Sequence, residues 1–166
     1  MKDHDSTNDR ILLFFEVCAK IEGLCADLYH YYSDIYAENT YAARILRKTA
    51  LEEENHQKQF ELVSRLREDV KFDVKTDIGR SRRVYDKLIK LLEHVRQSPP
   101  DIVTALTKAI EMEESLADLH LESSVRFHDE SVIRMFEALR EFDQNHVAAL
   151  RHCLSVMMLP NAEMAG

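Results

Sequence analysis

Six side chains stand where helical stripes should be apolar, and their types are those that bind metal: Glu22, Glu53, His56, Glu113, Asp143 and His146. Two of the four carboxylates lie three residues ahead of a histidine, so Glu53 with His56 and Asp143 with His146 each share one face of a helix. Burying an unpaired carboxylate costs several kcal/mol or shifts its pKa until it is neutral, so four of them at core positions need compensating positive charge. No Lys or Arg stands on those stripes at the same level. Two divalent cations would balance the four carboxylates, and the two imidazoles would add one nitrogen donor to each. A mixed oxygen and imidazole set suits iron or manganese better than magnesium or a structural zinc site.

The helices that must carry these groups are legible from stepping alternately by four and three residues. Ile11, Phe15, Cys18, Glu22, Cys25, Tyr29, Tyr32 and Tyr36 form one narrow face, charged only at Glu22. Equivalent stripes run from Ala42 through Glu53 and His56 to Val63, from Ile102 through Glu113 and His120 to Phe127, and from Val132 through Asp143 and His146 to Met157. Four sustained stripes of this kind predict a four-helix bundle. The halves also correspond: Glu22 and Glu113 are 91 residues apart, Glu53 and Asp143 are 90 apart, and Tyr29 and His120 each follow a glutamate by seven. Asp27 with His30 is a third carboxylate and histidine pair, but His30 lies roughly 80° off the Glu22 stripe and reads as surface.

Local signals set the boundaries. Ser6 with Asp9 predicts the start of a first helix running to about Ala37, and a second helix is expected from Tyr41 to Val70. Periodicity lapses from Lys71 to Gly79. A shorter helix from about Arg80 to Gln97 then presents Val84, Leu88, Leu91 and Val95 on one face, and its ~27 Å would span the bundle as part of a crossover over about 71–97. Ser98 is expected to cap the next helix with Pro99 in its first position, and His128-Asp129 marks the last turn before a helix ending near Met158. Arg80, Arg82 and Arg83 make the one basic cluster, a solvated helix end or a docking site for an acidic redox partner.

The 166 residues fit one domain, 1–166, long enough to bury a core without staples. A net charge of -8 argues against nucleic acid as a partner. Three cysteines without a C-x-x-C spacing read as buried apolar residues in a reducing compartment. A polar N-terminus and the lack of a long apolar run lead to the expectation of a cytoplasmic protein with no membrane partner.

With these residues placed, the chain resembles the rubrerythrin family of the ferritin-like superfamily over its four long helices. The likeness is carried by Glu22 with Tyr29, by Glu53-Glu54-Asn55-His56, by Ala109-Ile110-Glu111-Met112-Glu113 and by Asp143-Gln144-Asn145-His146. It implies a ferritin-like four-helix bundle holding two iron ions that cycle between ferrous and ferric, with manganese or a mixed pair as substitutes. It further implies reduction of hydrogen peroxide with electrons from a rubredoxin-type donor, in a homodimer. By position, Glu53 and Asp143 would bridge the metals, Glu22 and Glu113 would be terminal ligands, and Tyr29 would donate a hydrogen bond just behind them. Tyr29 and His120 are the candidates to hydrogen-bond a bound oxidant or donate protons, and His120 is alternatively a third nitrogen ligand.

The chain departs from the family in three places. It has no four-cysteine rubredoxin segment, Leu116 stands where the family has an additional glutamate, and Asp143 is one methylene shorter than Glu. Ferroxidase and iron storage with oxygen as oxidant, oxygenation of an organic substrate, and a metal-stabilised bundle without turnover stand as alternative functions.

Overall fold

The computed structural model describes residues 3–65, 78–124 and 127–159, with side chains from Asp9 onward, and among them every regular element is a helix. These are α1 (Asp3–Ile35), α2 (Thr40–Arg65), α3 (Ile78–Gln97), α4 (Ile102–Ser124) and α5 (Glu130–Met157). α1 packs extensively on α2 and α4 on α5, so the chain is two helical hairpins, joined side to side where α2 meets α5. The shorter α3 lies mainly against α1, with a lighter contact on α4, burying Leu88, Leu92 and Val95. Tyr31 ties it down by donating from its hydroxyl to the Val95 carbonyl at 3.0 Å. No described helix is long and apolar enough to cross a membrane.

Several boundaries differ from the sequence expectation, each for a local reason. α1 is already helical at Asp3, so Ser6 lies inside it and is not its cap. α2 is capped by Asn39, whose Oδ1 accepts from Ala42 N–H at 3.0 Å. The expected end of that helix at Val70 and the lapse from Lys71 lie outside the described residues, except that Ile78 and Gly79 already belong to α3. α4 does not start at Ser98 and Pro99. A residue that precedes proline is pushed to extended backbone, which would still suit Ser98 as a cap but keeps Pro99, followed by Pro100, from being the first helical residue, so the start moves past both prolines. Asp101 is the cap, and it accepts from Thr104 N–H at 2.9 Å and from the Thr104 hydroxyl at 2.7 Å. α5 begins where the His128-Asp129 turn predicts, with Asp129 accepting from the backbone N–H of Ser131 and Val132.

The four stripes bury as expected and form two apolar clusters. One is aromatic, built on Phe14, Phe15, Phe60, Phe127 and Phe136. The other holds aliphatic residues with Tyr29, Tyr32, Leu46, Leu106 and Leu150. Along α1, α2 and α5 the acidic and imidazole residues fall between the segments that feed these two clusters, so the polar level lies across the middle of the core. Cys18, Cys25 and Cys153 are thiols buried in it.

Candidate metal centre

Each hairpin delivers its groups from mid-helix, where backbone hydrogen bonding is complete and packing on both sides holds the rotamers. Glu22, Glu53, Glu113 and Asp143 are completely buried, and His56 and His146 are 2% and 3% exposed. The structure brings all six together. Glu53, Glu113, Asp143 and His146 offer donor atoms within 4.8 Å of one another, as do Glu22, Glu53 and His56. Glu53 belongs to both groups.

Several of the donor atoms lie at hydrogen-bond distance from one another, close enough to share a cation. His56 Nδ1 lies 3.0 Å from Glu53 Oε2 and 3.7 Å from Glu22 Oε2. His146 Nδ1 lies 2.9 Å from Glu53 Oε1 and 3.1 Å from Glu113 Oε2. Two donors bonded to one metal at about 2.1 Å and at about a right angle stand about 3 Å apart. Four carboxylate oxygens in the cluster, Glu22 Oε1, Glu22 Oε2, Glu53 Oε1 and Asp143 Oδ1, are buried without any hydrogen-bond partner. Orphaned buried acceptors are rare in native proteins and call for an ion or water. The residues therefore could hold metal, in donor chemistry and in unmet coordination demand.

The two residues seven positions beyond a glutamate cross between the halves. Tyr29 on α1 donates from its hydroxyl to Glu113 Oε1 on α4 at 2.5 Å. His120 on α4 places Nε2 3.1 Å from Glu22 Oε1 on α1, without hydrogen-bond alignment, and Nδ1 2.6 Å from Asp143 Oδ2. Its ring rests on Phe60 and Phe136, each at 5.9 Å between centroids. Asp27 plays no part in this cluster, and His30 bonds Glu54 at the surface at 2.9 Å.

Protons supply the missing positive charge when metal is not bound. Burial lowers the affinity of His56, His120 and His146 for a proton, but the adjoining carboxylates outweigh it and raise their pKa values to about 10, about 10 and about 11. Burial, with Glu113 and Glu22 beside it, raises Glu53 to about 8. Burial also raises Glu113. Burial pushes Glu22 upward too, but the His120, His56 and Glu53 side chains prevail and hold it well below the usual carboxylate range.

One contributor escaped the sequence reading. Glu52, 29% exposed at its side chain, takes His146 Nε2 at 2.8 Å, so the ring is gripped from outside while Nδ1 faces the carboxylates. Glu52 is about 100° off the α2 stripe, and the run Glu52-Glu53-Glu54 was the only hint of it. Phe142, on α5, packs on His56 at 5.3 Å between rings.

No protein-family model, curated protein or solved structure matches the chain.

Proposed function

We propose that this chain is a ferritin-like, carboxylate-bridged dinuclear iron protein that reduces hydrogen peroxide with electrons from a separate donor, in the manner of the rubrerythrins it resembles. The observation that carries the reading is Glu53: one fully buried carboxylate common to two ligand groups, with an oxygen that has no hydrogen-bond partner. Two ferrous ions, when bound, supply the two electrons that cleave a peroxide.

The chain's own residues bind, orient and exclude water. Glu22, Glu53 and His56 would hold one metal, and Glu53, Glu113, Asp143 and His146 the other. Glu52 accepts from His146 Nε2, so that Nδ1, once its proton is displaced, is the nitrogen offered to a metal. Tyr29 keeps its proton, because burial and the neighbouring Glu113 raise its pKa well above the ordinary phenol value. Its O–H therefore remains a donor to Glu113, placed to pass a proton toward the reacting oxygen. Phe60 and Phe136 close the aromatic side. A small oxidant suits this burial better than an organic substrate, because the carboxylates are completely buried and His56 and His146 nearly so.

Stopped-flow absorbance of the diferrous protein, mixed separately with peroxide and with oxygen, tests the function. Faster oxidation by peroxide is expected. Oxidation by oxygen at least as fast, in a protein whose size-exclusion mass is that of a cage, would replace this reading with iron storage.

A further inference from the structure

We infer that His120 is a seventh metal-binding side chain: Nε2 completes the set of a second cation, held by Glu22, Glu53 and His56, while Nδ1–H keeps Asp143 a ligand of the first cation alone, the one held by Glu53, Glu113 and His146. The inference rests on the dinuclear reading above and assigns the site's asymmetry. A carboxylate only accepts, so the 2.6 Å contact with Asp143 Oδ2 places a proton on Nδ1. Nε2 faces the opposite way, completely buried and without a hydrogen-bond partner. The atom it approaches, Glu22 Oε1 at 3.1 Å, is also without one. Two buried donor atoms converging at this distance without hydrogen-bond alignment have the spacing of adjacent ligands on one ion.

The other half shows what the same position does when it cannot ligate. Tyr29 stands seven residues after Glu22, as His120 stands seven after Glu113, and it crosses to the opposite glutamate in the same way. A phenol that keeps its proton can only donate to Glu113. An imidazole that keeps Nδ1–H toward Asp143 and loses its Nε2 proton to an incoming cation has a lone pair to give. The two cations are then inequivalent: Glu53, Glu113, Asp143 and His146 converge around one, and Glu22, Glu53 and His56 around the other, where His120 would join through its 3.1 Å approach to Glu22. Asp143 Oδ1, the oxygen without a partner, serves the first cation, while Oδ2 is taken by His120. Asp143 is thus a terminal ligand rather than the second bridge that the family resemblance implies, and the Asp143–His120 pair is a second route between the metals besides Glu53.

Cobalt(II) loading followed by paramagnetic proton NMR tests this, because each ligated imidazole carries one exchangeable ring N–H shifted far from the diamagnetic range. The wild-type chain is expected to take up two cobalt ions and to show such N–H signals from His56, His120 and His146. His120→Asn, which keeps an amide donor toward Asp143 but has no Nε2, should lose one of them and weaken the second cobalt step at least about tenfold. Two cobalt ions with signals from His56 and His146 alone would overturn the role of His120 and leave the dinuclear reading standing. Failure of the wild-type chain to bind cobalt overturns both. Since the wild-type signal count decides by itself, the test survives a variant that does not fold.

Discussion

Among the described residues Glu53 alone belongs to both ligand groups: its carboxylate faces His56 and His146, which stand on different helices, and is buried beside Glu22 and Glu113. Replacing a histidine beside it should remove a nitrogen donor and leave carboxylates facing each other. His56→Ala and His146→Ala are each expected to lower iron content below two ions per chain, measured by metal analysis after anaerobic loading, with affinity reduced by about 10–100-fold or more. Full occupancy in the double variant would refute the ligand set. Tyr29→Phe removes the 2.5 Å bond to Glu113 without changing ring volume. Hydrogen bonds to charged groups contribute about 1.5–3 kcal/mol, so the metal-free variant should unfold at lower denaturant by roughly that amount. In the loaded protein the peroxide reaction should slow as its proton source is lost.

Among the elements, α4 shows how a short sequence decides where a helix can hold its ligands. Asp101 rather than Ser98 caps it, and Asp129 caps α5. Asp101→Ala should lower the midpoint of thermal or urea unfolding and Asp129→Ala should cost about 0.5–2 kcal/mol, whereas Ser98→Ala should be close to neutral. Leu116, completely buried one turn beyond Glu113, is the element-level test of the family comparison. Leu116→Glu buries a carboxylate among apolar side chains, so the metal-free protein should lose several kcal/mol. With iron bound, the added carboxylate should restore stability and raise peroxide turnover relative to wild type. A variant equally unstable with and without iron would show that position 116 does not reach the metals.

For the whole molecule, proton and metal occupancy oppose each other, and the pH dependence follows. His56, His120 and His146 have folded pKa values raised to about 10–11, so the stability they contribute is fully present below their unfolded value of about 6.5 and is lost as pH rises to those values. Glu53, raised to about 8, acts in the same direction, its contribution being full below about 4.5 and lost through pH 8. Glu22 is lowered, so its contribution is present above about 4.5 and disappears as pH falls. The melting temperature of chelator-treated protein should therefore peak near pH ~5–6 and fall toward pH 10. Metal must displace those protons, so iron affinity should rise over the same range, with proton release measurable in weakly buffered titrations. A flat melting profile in the chelated protein would contradict the proposed proton occupancy of the cluster.

The periodicity of the chain determined the four long helices, and the polar interruptions in their apolar stripes picked out all six cluster residues, because a carboxylate on a core face is anomalous whatever packs against it. The same stepping placed Tyr29 and His120 near them. What sequence alone did not decide was every relation between helices. That His146 leans on Glu52, that Tyr29 reaches Glu113 while His120 reaches Glu22, and that His120 takes one oxygen of Asp143 depend on which faces of α1, α2, α4 and α5 meet and at what height. The cap lies at Asp101 rather than Ser98 for a more local reason, the restriction that Pro100 places on Pro99. Spacing along one helix is fixed by its 3.6-residue turn, whereas contacts between helices depend on rotation and offset, which are set by close packing of the whole core.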